Sequence, residues 1–327
     1  MQAADFFRAV YANPADDGAK QVLADVLMEA GDPRGELIAL QMSRRRSRKA
    51  ELKLERLFER HRAQFLGPLA AVVSERGQVW EDGFLVECSL TLDGRLRDEP
   101  SLATLRAVRL LNRETDVPLE LLGPHCRAVR TLSGVGRHAV VPLFTHDRSL
   151  PFWSVDLEGP GNAEAWSPAE LDAVRVARAL PDLRHLSLTI WRFGVDELEW
   201  LWTAPVFGRL RTLELGLHRV AINVGTLRDR LLTLADVPDA LILHGRQLEV
   251  KLKPTDGWRV MHLTIHTPLV EPVMHDAELM LQSLPANGLT RLDVACDFPV
   301  AKDALARLKA LVKRFPRLAP VTWPSSR

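Results

Sequence analysis

Sulfur chemistry has little to work with in this chain. Its three cysteines, Cys88, Cys126 and Cys296, stand far apart and form no C-x-x-C pair. That usage fits reduced, buried thiols and argues against a disulfide frame or a zinc site. No apolar run approaches the roughly 20 residues of a membrane span. Met1 to Arg8 has neither a basic start nor an apolar segment, so no secretory leader is expected and the protein is expected in the cytoplasm. An excess of one charge is missing too. Lys and Arg number 43 against 42 Asp and Glu, and so balanced a composition gives no support for a general nucleic-acid or membrane-surface binder. Nucleophile and nucleotide signatures such as G-x-S-x-G and the P-loop are also absent.

What the chain does have is repetition. Leu183-Arg184-His185-Leu186-Ser187-Leu188 is nearly copied by Leu210-Arg211-Thr212-Leu213-Glu214-Leu215. Both read L-x-x-L-x-L, and the step from Leu186 to Leu213 falls inside the ~20–29 residue period of leucine-rich solenoids. Looser copies place the central apolar position at Val86, Val108, Val129, Val155, Leu186, Leu213, Leu241, Met261 and Leu292. Helical segments lie between them. Ser167-Pro168-Ala169-Glu170 opens one with a cap residue, proline at the first position and glutamate three residues on. Leu248–Leu252 and Trp258–His266, joined across Pro254-Thr255-Asp256-Gly257, read as an inserted hairpin.

The residues ahead of the array are helical in texture. Phe6, Phe7, Val10 and Tyr11 recur at helical spacing until Asn13-Pro14, and a second stripe follows at Val22, Leu23, Val26 and Leu27. Gly31 stands at a C-terminal cap, Asp32 caps the next helix, and Pro33 occupies its first position. The run from Leu23 to Gln41, above all Gly31-Asp32-Pro33-Arg34-Gly35-Glu36-Leu37-Ile38-Ala39-Leu40-Gln41, resembles the bacterial repeat-companion domain. Val26 departs from the tryptophan usual in that family. The resemblance covers about the first 42 residues; it implies a leucine-rich-repeat-like array downstream and no enzymatic activity.

These features predict an α/β protein: an irregular leucine-rich-repeat solenoid with a one-sided parallel sheet, behind an all-helical cap. The expected divisions are a helical domain over 1–48, a linker helix over 49–78, the array over 79–319 and a frayed tail over 320–327. The one-sidedness follows from period 2. Arg109, Arg130, Asp156, Ser187, Glu214, His262 and Asp293 stand between core apolar residues and so share one face. Polar side chains in register cannot lie under a helix layer, so that face should be open to water and able to bind. His185 belongs to the neighbouring outward column, with Ser154 and Thr212.

Three chemical alternatives are weaker. Gly134-Val135-Gly136-Arg137-His138-Ala139 matches G-x-G-x-x-A, but Arg130 and Pro142 flank it badly for a dinucleotide site. His262 and His266 on a strand would lie ~13 Å apart, too far to share one metal. An assembled His/Glu cluster on the inner face would make an enzyme or toxin-like effector. Arg44-Arg45-Arg46 with Arg48-Lys49 could contact phosphates, although Glu51, Glu55 and Glu59 follow within helical reach. The favoured expectation is a non-enzymatic adaptor or scaffold without cofactor or metal. Another protein would bind it at Arg109, Arg130, Asp156, His185, Ser187, Glu214, His262 and Asp293.

Overall fold

The computed structural model describes residues 2–43, 47–91, 96, 99–111, 123–158, 166–190, 199–217, 230, 233–234, 236–244, 248–253, 259–266, 278, 281–282, 289, 291–295, 302–321 and 323. The chain forms two compact units: Met1–Ala139 with Leu150–Phe152, and Val140–Ser149 with Trp153–Arg327. No described helix is long and apolar enough to cross a membrane.

The first unit begins with helices α1 (Ala3–Ala12), α2 (Asp17–Glu29), α3 (Pro33–Met42) and α4 (Arg48–Leu66). Local chemistry sets their ends. Asp16 accepts from Ala19 N and Asp32 from Arg34 N, while Ser47 accepts from Ala50 N, each satisfying a backbone donor that a helix start leaves unpaired. Gly31, with φ of 73°, takes the left-handed turn between α2 and α3. Gly35 lets the two helices touch: a Cβ there would lie 2.6 Å from both Ala24 O and Met28 N. One core packs Val10, Leu23, Ala24, Leu27, Ile38 and Phe84; another packs Leu37, Leu57 and Phe65.

Among the described residues four strands follow in this unit: β1 (Val79–Glu81), β2 (Phe84–Leu90), β3 (Ala107–Leu110) and β4 (Thr131–Val135). β1 and β2 form a hairpin through Asp82 and Gly83, whose φ values of 50° and 81° are those of a tight two-residue turn. The helices grip that turn. Gly83 N donates to Gln41 Oε1 at 2.6 Å, Gln41 Nε2 donates to Trp80 O at 3.2 Å, and Lys20 Nζ reaches Asp82 Oδ2 at 2.8 Å. Burial alone would push the Lys20 amine down, but its bonds to Asp82 and Asp17 outweigh that and hold it above its ordinary value. Arg34 lies over the rings of Phe7, Phe65 and Phe84 at 5.4–6.0 Å from their centres. Residues of the Gly31–Gln41 motif thus serve caps, close packing and the seat of the first hairpin.

β2, β3 and β4 run parallel, pairing Cys88 with Val108 and Val108 with Leu132. Two expected centres are therefore displaced. Val86 lies two residues before the true position. Val129 lies three before it and instead matches Leu105, the buried leucine that opens the preceding copy. The cause of the second slip is Gly134, which stands where Leu110 stands in β3, so the apolar count skips backward. Glycine is needed there: its φ is 71°, and a Cβ would meet Leu110 O at 2.4 Å. That backbone contact accounts for the glycine without a dinucleotide.

In the second unit β5 (Ser154–Leu157), β6 (His185–Ile190), β7 (Thr212–Leu217) and β8 (Ala240–His244) are parallel. Val155, Leu186, Leu213 and Leu241 align as the sequence predicts, and all are buried. β9 (Leu248–Lys253) runs antiparallel to β8 and to β10 (Arg259–His266), which bears out the expected hairpin; its turn, Pro254–Gly257, lies outside the described residues. β11 (Leu292–Ala295) is parallel to β10 and pairs Leu292 with Leu263 rather than Met261. Among the described residues the helices here include α5 (Arg137–Phe144), which belongs to this unit from Val140 on, then α6 (Pro168–Val176), α7 (Glu199–Trp202) and α8 (Lys302–Val312). α6 has the expected capping box between Ser167 and Glu170.

Gly35→Ala is expected to destabilise the first unit by about 1–3 kcal/mol, because the added methyl meets backbone that cannot step aside. A lowered denaturant midpoint at unchanged slope checks this; a wild-type midpoint would mean that α2 and α3 do not need their close approach.

Candidate functional site: a polar face on β5 to β8

Strand period 2 sorts β5 to β8 into two faces. Val155 and Leu157, Leu186 and Leu188, Leu213 and Leu215, and Leu241 and Leu243 are buried on one. On the other, Ser154, Asp156, His185, Ser187, Thr189, Thr212, Glu214, Ile242 and His244 are all half-exposed. The register aligns them in rows across the strands. Ser154, His185, Thr212 and Ala240 form the first; Asp156, Ser187, Glu214 and Ile242 the second; Thr189, Gly216 and His244 the third. All of these residues except Ala240 and Ile242 line a depression of about 520 Å³. Four of the expected contact residues, Asp156, His185, Ser187 and Glu214, meet in it.

Its electrostatics are set by two contacts. Glu214 Oε1 lies 2.5 Å from His244 Nε2. That hydrogen bond holds the Glu214 carboxyl below its ordinary range, against the opposing effect of burial. His185 is pushed below its ordinary value by burial first and by the Arg211 guanidinium second, so at neutral pH it is uncharged. Trp153 meets the His185 ring edge-on with centroids 4.9 Å apart, and it keeps 42% of its surface exposed. The depression thus offers two carboxylates, four hydroxyls, the neutral imidazole of His185 and the imidazole of His244, and among the described residues no Lys or Arg lines it. From strand spacing, Asp156 and Glu214 stand two strands apart, roughly 10 Å at Cα.

The remaining expected contact residues fall elsewhere. Arg130 is a correction: Arg109 pairs with Ser133, while Arg130 precedes β4. Its Nη1 donates to Arg127 O at 2.7 Å and Pro151 O at 3.4 Å, tying its own turn. Arg184 does the same before β6, donating to Pro181 O and Leu183 O. Arg130 therefore belongs with Arg106, Arg184 and Arg211, each two residues before the buried centre of its strand, not with the outward column. Arg109 is exposed on β3 in the first unit, in a row with Ser89 and Ser133. His262 pairs with Lys251, which pairs with Ile242, so it stays in the row of Glu214. Asp293 pairs with Thr264 and so lies two residues away from that row. Arg44, Arg45 and Arg46 lie outside the described residues; Arg48 and Lys49 open α4 and are exposed.

Sequence reasoning missed Thr189, His244 and Trp153. His244 is masked by the apolar run Ala240–Leu243, which hides the alternation, and Trp153 stands just outside its strand. His262 and His266 share β10, four residues apart as expected. Among the described residues no three His, Cys, Asp or Glu are grouped to hold a metal ion. No family model and no curated protein matches the chain.

His185 is expected to titrate below 6.5 in the folded protein. Because its folded value is depressed, the unfolded chain takes up the proton first as pH falls. Its contribution to stability is full above about 6.5 and is lost on acidification below it. NMR titration of the imidazole, with denaturant midpoints at pH 7.5 and 5.5 for wild type and His185→Gln, tests the sign; titration at or above 6.5 would contradict the burial argument.

Proposed function

We propose that the second unit is a leucine-rich-repeat-like array whose open β5–β8 face binds another protein, and that the chain works as a non-enzymatic adaptor or scaffold in the cytoplasm. On this reading the first helices are a repeat-companion domain that precedes the array in the chain. The observation that carries it is the register of Asp156, Ser187 and Glu214 on the half-exposed face, backed by buried leucines. A strand face that were meant to lie under helices would carry continuous apolar residues instead. Hydroxyls, carboxylates and an exposed tryptophan at the margin are groups that hydrogen-bond and anchor a partner surface.

Binding is favoured over catalysis by the arrangement of the His/Glu pair. Glu214 on β7 is engaged by His244 on β8, while Ser187 lies on β6, on the opposite side of Glu214. The hydroxyl-to-imidazole contact that activates a serine nucleophile is not built between these residues.

The test is affinity capture with the whole chain as bait, followed by reconstitution with the purified captured protein. Asp156→Lys with Glu214→Lys should weaken that complex at least tenfold. Arg130→Ala should leave it intact while lowering stability by up to about 1 kcal/mol through its lost turn bonds. Undiminished binding by the double variant would remove this face from the interface, and loss on Arg130→Ala without loss of fold would restore that residue to it.

A further inference from the structure

The basic cluster noted in the sequence continues into α4 in an ordered way. At about 100° per residue, Lys49, Lys53, Arg56 and Arg60 fall within an arc of roughly 60° on one side of the helix. Over 11 residues that stripe runs about 16 Å. The buried side of the helix, carrying Leu57 and Phe65, faces the core. Glu51, Glu55 and Glu59, which the sequence offered as neutralising partners, centre about 130° away. Among the described residues none of them forms an ion pair with the stripe. Lys53 pairs with Glu36 of α3; Lys49, Arg56 and Arg60 are exposed and carry surplus charge.

The stripe also borders a depression of about 570 Å³, in which Lys53, Arg56, Arg60 and His61 of α4 face Gly31, Asp32, Pro33 and Glu36. Its two carboxylates are both occupied. Asp32 accepts from Arg34 N at 2.8 Å, and Glu36 holds Lys53.

We propose that this side of α4 is a contact surface for the sugar–phosphate backbone of duplex nucleic acid. A linear row of cations is suited to phosphates, which position a protein without specifying sequence. A protein partner fits less well, since interface centres are poor in charge and rely on aromatic and apolar anchors. The one strongly exposed large apolar residue of α4, Leu52, lies off the stripe. A single strand fits less well too, because it binds by stacking on aromatics. Phe58 and Phe65 of α4 are turned inward, onto each other and Trp80. This surface belongs to the first unit and stands independently of the β5–β8 face.

The experiment is fluorescence anisotropy of a labelled 20-base-pair mixed-sequence DNA titrated with the full chain from 50 to 200 mM salt. Three to four neutralised phosphates give a slope of log K on log salt of about −2.7 to −3.6. Lys49→Glu/Arg56→Glu/Arg60→Glu should weaken binding at least tenfold at 50 mM salt. Lys302→Glu/Lys313→Glu/Arg317→Glu, the same charge change on exposed positions of the second unit, should alter it less than twofold. Thermal melting verifies both folds, and Arg56→Gln/Arg60→Gln, expected to weaken binding about threefold or more, serves if the glutamates unfold the unit. The proposal is overturned by no binding at 50 mM salt, by equal loss in both triple variants, by tighter binding of a single strand of the same length, or by polyglutamate displacing the duplex at lower charge concentration than unlabelled duplex does.

Discussion

The polar face of the second unit depends on its buried aliphatic rows staying in register. Val155, Leu186, Leu213 and Leu241 form one buried row, and Leu157, Leu188, Leu215 and Leu243 the next. Each buried aliphatic side chain contributes on the order of 1.5–3 kcal/mol. A slip of one residue would turn every one of them to water and bring Asp156 and Glu214 inside. The polar face is therefore a consequence of the apolar one. Its hydroxyls, carboxylates and imidazoles need no packing partners of their own to stay aligned.

The first unit solves a different problem, that of starting a sheet. A hairpin turn with two residues at positive φ presents backbone donors and a carboxylate at its tip. Gln41 and Lys20 answer them from α3 and α2, and Ile38 lies so close to Gly83 that a Cβ there would come within 2.2 Å of its side chain. Burial also keeps the unit's chemistry quiet: the Cys88 thiol is pushed up to about 12. The helical module and the first strands are thus joined by specific polar contacts as well as by apolar packing.

Much of this was legible in the sequence where a residue type has one physical use. Gly31, Asp32, Pro33 and Ser167 fixed helix ends, and the paired L-x-x-L-x-L segments placed β6 and β7 in their true register. Reading failed where a non-local contact decided the residue. Gly134 is small because the Leu110 carbonyl approaches it, and without that knowledge the next copy was aligned on Val129 and Arg130 was turned outward. His262 kept its row only because β9 intervenes antiparallel between β8 and β10, a path that repeat counting cannot supply. The Glu214–His244 contact joins adjacent strands across a one-row offset, so no spacing along the chain announces it.

The openness of the β5–β8 face can be measured by thiol labelling of Ser187→Cys and Leu188→Cys, each in a Cys296→Ser background, under native conditions. Cys88 and Cys126 are buried and should supply little background. The account predicts rapid maleimide reaction at position 187 and protection at position 188, the alternation expected of a strand with one side in water. Protection at both positions would mean that a second layer covers the face, and the surface proposed to bind a partner would not exist.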